Sequence, residues 1–323
     1  MRVLQVGLGR FGQSHLRSWR KLAVDLRVCD RDPARLAALE EPCSADWRAF
    51  LDDAECVDVV TSATSHEEIA RAALERGKHV LVEKPITPTA REGFELAALA
   101  RERGCLLQVG HVFRFAPEAR AVERAVRSGA IGRIRYALGH FMSFKRPRTD
   151  GGLAISDGVH LVDLVSWIFG KQPIAVTAVL RDYLGRGMDD AATLALDYGG
   201  ESALVEAACF PPEPRRDLHV IGTEGAITCD FLADADRVKL YSHAHKQDVH
   251  GVWGASEGEV RVLPAAGEEP LLAEIRAFLE ACKSGHPAPE AADGVAGAAA
   301  VAVIEAAERS AREGRRVEVE LPS

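Results

Sequence analysis

No long run of lysine or arginine interrupts this 323-residue sequence, and its formal net charge is -8. Nucleic acids and anionic membranes are held by clustered positive charge, so neither is an expected partner. The sequence also lacks any apolar stretch of membrane-spanning length, and its opening MRVLQVG enters a strand-like pattern without a basic lead or a cleavage site. A cytoplasmic protein is expected. Seven cysteines (Cys29, Cys43, Cys56, Cys105, Cys209, Cys229, Cys282) stand singly, with no C-x-x-C pair and an odd count. That pattern argues against a disulfide framework or a zinc cluster and favours small buried apolar residues. Internal repeats and disordered linkers are missing as well.

What is present suits a globular chain: 47% hydrophobic and 27% charged residues give material for a real core. The length exceeds what one core usually organises, so two domains are expected, at 1–112 and 113–323. The first 110 residues alternate short β-rich runs with helical patterns, the rhythm of βαβ units around a doubly wound parallel sheet, the Rossmann arrangement. Five strands are expected, at Val3–Val6, Leu26–Cys29, Val57–Thr61, Val80–Glu83 and Leu106–Val109. Asp32-Pro33 and Thr87-Pro88 each place an N-cap residue before proline, and Ser65 with Glu68 has capping-box spacing.

Beyond Gly110 the pattern changes. A helix over about Pro117–Ser128 precedes a run at Arg133–Phe144 in which Ile134, Tyr136, Leu138, His140 and Met142 alternate with the other face. After a helix near Asp157–Phe169, strand-like runs recur at Ile174–Arg181, Ala192–Asp197, Ala203–Ala208, Leu218–Ile221 and Val238–Tyr241. The expected second domain is therefore α+β, built on a large, mostly antiparallel open sheet. Thr223-Glu224-Gly225 reads as a hairpin turn, and 271–283 and 291–312 as closing helices.

The string Gly7-Leu8-Gly9-Arg10-Phe11-Gly12 is G-x-G-x-x-G placed between a strand and a helix, where it carries specific meaning. Gly7 permits a tight turn, Gly9 lets the backbone approach a pyrophosphate, Gly12 lets helix and strand pack closely, and the helix N-terminus offers amide donors. A dinucleotide is the expected cofactor. Asp30 ends the second strand, where a carboxylate accepts hydrogen bonds from the adenosine ribose and favours NAD. Arg31 follows it and could instead pair with the 2′-phosphate of NADP.

The fourth strand ends in Glu83-Lys84-Pro85, which sets a lysine at the carboxyl edge of a parallel sheet, where doubly wound folds bind their ligands. Gly77-Lys78-His79-Val80-Leu81-Val82-Glu83-Lys84-Pro85 resembles the hallmark of the glucose-fructose oxidoreductase, inositol dehydrogenase and MocA family. Thr61 and His66 are similar to its T-P-x-x-x-H segment, with Ser62 in place of proline. His111-Val112-Phe113-Arg114-Phe115-Ala116-Pro117 is similar to its G-H-x-x-R-F-x-P stretch. The resemblance covers nearly the entire chain. It implies that Lys84 contacts both nicotinamide and a substrate hydroxyl, and that the Lys84-Pro85 bond is cis.

Ser156-Asp157-Gly158-Val159-His160-Leu161-Val162-Asp163 resembles the family's D-x-G-x-H segment, whose histidine acts as acid/base. An imidazole suits reversible proton transfer from a sugar hydroxyl. Ser156, not an aspartate, stands four residues before His160, and Asp157 is displaced by one. On a helix, Ser156 or Asp157, His160 and Asp163 share a face, so a carboxylate could orient the imidazole. Arg114, Arg146, Arg148 and Tyr183 are further candidates for lining a sugar or nucleotide-sugar pocket. His243, His245 and His250 beside Asp248 match no tight ligand spacing, so no metal is expected and the segment reads as a solvated loop.

The expected function is hydride transfer between a secondary hydroxyl of a sugar, nucleotide sugar or polyol and NAD, with NADP as the alternative cofactor. Two further readings follow from the resemblance: NAD-dependent glycoside cleavage, and a non-catalytic sugar-sensing regulator. A homodimer or homotetramer is expected, and the resemblance implies the open sheet as the subunit interface.

Overall fold

The computed structural model of the chain describes residues 1–147 and 151–322. The first half runs β1 (Arg2–Val6), α1 (Gly12–Trp19), β2 (Asp25–Cys29), α2 (Pro33–Leu36), β3 (Cys43–Ser44), α3 (Arg48–Leu51), β4 (Cys56–Val59), α4 (His66–Glu75), β5 (His79–Glu83), α5 (Ala90–Glu102) and β6 (Leu107–Gly110). The middle runs α6 (Pro117–Arg127), β7 (Ile134–Met142), α7 (Val159–Phe169), β8 (Ala175–Arg181), β9 (Ala191–Asp197), β10 (Ser202–Ala208), β11 (Arg215–Gly222), β12 (Ala226–Asp230) and β13 (Val238–Tyr241). It closes with β14 (Ala244–Gln247), β15 (Trp253–Ser256), β16 (Val260–Val262), α8 (Pro270–Ser284), β17 (Ala292–Asp293), α9 (Gly294–Glu313) and β18 (Val317–Glu318). Two compact units result, one of residues 1–115, 268–301 and 322, the other of 116–267 and 302–321.

In the first unit β1 is the turning point of a seven-stranded sheet ordered β17-β6-β5-β4-β1-β2-β3. Strands β1 to β6 pair in parallel, while β17 adds antiparallel to β6, Ala292 opposite Val109. The chain winds outward on both sides of the β1–β4 pair, so the carboxyl edge there is the switch point at which such sheets bind ligands. Strands β4 and β6 are buried throughout, as expected of apolar runs covered on two faces. Leu271, Ile275, Phe278 and Leu279 of α8 share a core with Val3, Leu8, Leu16 and Trp19. Each such side chain contributes about 1.5–3 kcal/mol by leaving water, which is why α8 belongs here although it lies far along the chain.

Asp32 caps α2 as its sequence suggests, accepting the N–H of Ala34 at 3.0 Å. Two other expected starts are corrected. Helix α5 opens on Thr89, not Thr87: Thr89 and Glu92 form a full capping box, while the Thr87 hydroxyl donates to the Thr89 carbonyl. Ser65 precedes α4 but does not cap it, because its hydroxyl is engaged by Thr61 Oγ1 and the Ser62 carbonyl.

The second unit is built on a nine-stranded sheet ordered β16-β13-β12-β11-β7-β10-β9-β8-β18. Only the β7–β10 neighbours run parallel; the others are antiparallel. Helix α7 covers one face, packing so close that a Cβ on Gly139 would stand 3.3 Å from Leu161. It starts at Val159 rather than Asp157, because residues Ala154–Gly158 form a π turn. The expected hairpin at Thr223–Gly225 joins β11 to β12, with Gly222 N–H donating to the Gly225 carbonyl at 2.8 Å. The segment with His243, His245 and His250, read as a solvated loop, carries instead the exposed hairpin β14–β15, His245 opposite Ala255. Cross-strand pairing there outweighs the polar composition.

Four cysteines are buried, but Cys43 is exposed and Cys105 and Cys282 are half-buried, so the buried reading fails for those three. Among the described residues no helix is long and apolar enough to cross a membrane.

Candidate active site

The glycine loop is braced by protein at both ends and open in its middle. Gly7 adopts φ +108°, and a Cβ there would lie 2.4 Å from the Val60 carbonyl oxygen. A Cβ on Gly12 would lie 2.2 Å from the Gly7 carbonyl oxygen. Gly9 differs: nothing in the protein lies within 4 Å of where its Cβ would be. The open space there is where this loop motif seats a pyrophosphate. The Gln5 amide donates to the carbonyls of Gly7 at 3.0 Å and Gly12 at 2.8 Å and fixes the loop's curvature. Leu8 is buried beneath it, while Arg10 and Phe11 are exposed. No side chain caps α1 at Phe11; the N–H groups of Gln13 and Ser14 close onto the carbonyls of Gly9 and Phe11 at 3.0 and 2.8 Å, so an anion would meet the turn before them and the positive end of the helix.

Asp30 stands at the end of β2. One oxygen accepts the N–H of Leu8 at 2.7 Å and the Arg35 guanidinium at 3.1 Å; the other accepts the N–H of Asp32 at 2.9 Å. Burial pushes this carboxyl up, but the amides of Asp32 and Leu8 and the Arg35 charge outweigh it and hold it below the usual range. It is an ionised acceptor, suited to ribose hydroxyls and repulsive to a 2′-phosphate. Arg31 beside it is exposed.

Beyond the switch point lie the loop after β4 and the Glu83-Lys84-Pro85 turn after β5. The Lys84-Pro85 bond is cis. Glu83 folds back so that its Oε2 accepts the N–H of Lys84 at 3.1 Å. His66, at the start of α4, joins the two loops: Nδ1 lies 2.9 Å from the Pro85 carbonyl oxygen and Nε2 3.2 Å from that of Thr61. Burial lowers its pKa more than these carbonyls and the Glu83 charge raise it, so the ring is neutral near physiological pH and donates to only one of them. Thr61 and Ser62 line the same loop, Thr61 Oγ1 accepting from Ser65 at 2.9 Å. Arg114 is buried on a 3-10 turn, Val112–Phe115, just after β6.

In the second unit His160 sits on the first turn of α7, its ring parallel to Phe141 at 6.0 Å. Asp163 is one turn on and buried. Asp157 lies in the π turn before the helix, and its carboxylate pairs with Lys145 from the segment after β7. Lys145 and Arg216 both lie on the Phe141 ring, at 4.9 and 4.3 Å from its centre. Burial pulls the Arg216 guanidinium below its ordinary range, against the attraction of Asp157. Arg146 is exposed, Tyr183 is exposed and packs its edge on Phe210, and Arg148 lies outside the described residues.

Sequence reasoning missed Lys145, Phe141 and Arg216, and in the first unit Gln5, His15 and Asp58. Gln5, Asp58 and His15 left a faint signal, buried polar residues within apolar strands and a histidine four residues before Trp19 on the inner face of α1; Lys145, Phe141 and Arg216 meet only in the tertiary structure.

Residues 1–111 match the model of an oxidoreductase family with an NAD-binding Rossmann fold, and residues 119–228 match the GFO/IDH/MocA C-terminal domain. The chain belongs to the GFO/IDH/MocA oxidoreductase family. It is 29% identical over 302 residues to a UDP-N-acetylglucosamine 3-dehydrogenase of Acidithiobacillus ferrooxidans, covering 92% of this chain and 93% of that one. It is 30% identical over 292 residues to a dTDP-3,4-didehydro-2,6-dideoxy-alpha-D-glucose 3-reductase of Streptomyces violaceoruber, covering 86% and 82%. The fold is that of a levoglucosan dehydrogenase solved with NADH and L-sorbose, with a TM-score of 0.85, 21% identity and coverage of 100% and 99%. As a GFO/IDH/MocA protein, the chain takes a nicotinamide dinucleotide, and the open cradle at Gly9 with the ionised Asp30 fits one.

Proposed function

We propose that the protein is a dehydrogenase acting on a secondary hydroxyl of a sugar or nucleotide sugar, with NAD preferred over NADP. The observation that carries this reading is the glycine loop with Asp30 beside a cis Lys84-Pro85 turn at the carboxyl edge of the parallel sheet, in a GFO/IDH/MocA chain. The named activities of the relatives, on a UDP-sugar and a dTDP-sugar, support the substrate class.

When bound, the dinucleotide supplies the hydride acceptor. The glycine loop and the positive end of α1 would hold its pyrophosphate and Asp30 its adenosine ribose. His160 removes the hydroxyl proton, and the Lys84 ammonium stabilises negative charge growing on that oxygen. Asp163, one turn from His160, and Asp157 orient and charge-balance the imidazole; Lys145 in turn holds Asp157. Arg114 and Arg146 are the candidate substrate contacts from outside this group. The same residues serve the reverse reduction. Self-association through the solvent face of the nine-stranded sheet, where Tyr136 and Val179 are exposed, completes the reading.

The test is NADH formation over panels of UDP- and dTDP-sugars, free sugars and inositols. Oxidation confined to polyols would overturn the substrate class; release of free sugar without net NADH would replace dehydrogenation by glycoside cleavage.

A further inference from the structure

One buried histidine has no part in that scheme. His15 of α1 is completely buried, three residues beyond the last glycine of the loop. Its Nδ1 lies 2.9 Å from Asp58 Oδ2 on β4, and its Nε2 lies 3.3 Å from Glu83 Oε1 on β5. The first contact is a hydrogen bond; the second, less well aligned, is an ion pair. Trp19 Nε1 donates to the same Asp58 oxygen at 2.6 Å, and the exposed Phe11 of the glycine loop packs edge-on against the imidazole at 5.1 Å.

Both ring nitrogens therefore face carboxylates. An ionised carboxylate accepts and does not donate, so a ring serving two of them carries a proton on each nitrogen. Glu83 is equally constrained on its far side: a Cβ at Gly110 would stand 2.4 Å from Oε1, so only glycine there leaves room for the carboxylate. The other Glu83 oxygen holds the backbone N–H of Lys84.

We propose that His15 is a positioning residue for Lys84: a buried imidazolium that pins the Glu83 carboxylate beneath the lysine and ties it, through Asp58, to the helix opening at the phosphate loop. This rests on the reading that Lys84 works at the reacting centre. The groups facing the ring are Asp58 from β4, Glu83 from β5, and Trp19 and Phe11 from the α1 region. Two anions around one cation in a dry site make the balance sensitive. Removing the cation leaves two buried carboxylates that repel each other, and Glu83, at the end of its strand beside Lys84, is the one able to turn away. The burial of the ring opposes its protonation, yet Asp58 and Glu83 together raise its pKa to about 10.

The experiment uses the full chain, as wild type, His15→Gln and Glu83→Gln. Ring nitrogen NMR of the wild type should show His15 doubly protonated throughout neutral pH, and Glu83→Gln should move its titration down. NADH should bind His15→Gln within about threefold of wild type, but with a shorter fluorescence lifetime, because the nicotinamide end is less firmly held. With any substrate that is oxidised, kcat should fall about 10- to 100-fold with KM nearly unchanged, as expected when a reacting group is misplaced by a fraction of an ångström. The kcat–pH profile of His15→Gln should gain a further acid step beyond the one His160 gives the wild type. A neutral His15 ring at neutral pH overturns the proposal, and so does a His15→Gln protein with lowered Tm but unchanged lifetime and pH profile, since burial alone would then explain the residue. Should His15→Gln fail to fold, the ring titration in wild type and Glu83→Gln decides. If the wild type oxidises nothing, the dehydrogenase reading falls while the ring spectra and NADH lifetime still judge His15.

Discussion

The backbone N–H of Leu8 reaches the Asp30 carboxylate at 2.7 Å, so the glycine loop and the end of the second strand are one built piece. Asp30→Ala therefore loosens the loop as well as removing the ribose acceptor. NADH binding should weaken about 10- to 100-fold, the worth of a charge-assisted hydrogen bond pair, and the preference over NADPH should shrink. Fluorescence titration with both cofactors checks this; an unchanged ratio would remove Asp30 from cofactor selection.

Gly7 and Gly9 should separate folding from binding. Alanine at Gly7 must occupy a left-handed conformation against the Val60 carbonyl, at a cost of about 1–3 kcal/mol, and should lower Tm. At Gly9 a Cβ meets no protein atom within 4 Å, so Gly9→Ala should melt close to wild type while losing NADH affinity. Thermal melts and titrations of the two variants should give opposite patterns.

Lys84→Met and His160→Ala should each lower turnover by about two to four orders of magnitude, the usual worth of acid/base and charge-stabilising groups, with NADH binding nearly intact. Unchanged rates in both would sink the mechanism.

Asp157 and Lys145 form a pair, so their substitutions should not add. Asp157→Asn and Lys145→Met should each reduce kcat/KM, and the double variant should fall by less than the product of the two. Additive losses would mean that the pair is not a working unit.

Two buried histidines set opposite pH limits on stability. The folded pKa of His15 is raised from 6.5 to about 10, so its contribution is complete below 6.5 and is lost as pH rises toward 10. The folded pKa of His66 is lowered, so the unfolded chain takes up the proton first, and stability is lost as pH falls below 6.5. On these two groups alone, melting temperature should peak near the ordinary histidine pKa of about 6.5. His66→Gln should flatten the acid side and His15→Gln the alkaline side; a melt insensitive to both changes would contradict these assignments.

Much of this was legible in the sequence because the signals are local. Glycine spacing after a strand, Asp30 at the end of the next one, and the Glu83-Lys84-Pro85 string each depend on residues within one βα unit, where backbone geometry dictates residue type. Five of the six parallel strands and the mostly antiparallel second sheet followed from hydrophobic period and turn residues; the two-residue strands β3 and β17 did not. Sequence alone misjudged Thr87 and Ser65 as caps, because which hydroxyl meets a free amide depends on how the loop before the helix folds.

Tertiary structure decided what distant residues do to one another. That α8 completes the first unit's core, that the π turn at Ala154–Gly158 turns Asp157 toward Lys145, and that His15 bridges Asp58 and Glu83 are contacts between elements far apart in the chain. A linear pattern carries each residue's propensity and its near neighbours. It does not carry the charges that folding brings together, such as Asp58 and Glu83 on either side of the His15 ring. The sequence by itself determined a dinucleotide fold with a lysine at its edge; the fold determined which charges gather around the glutamate beside that lysine.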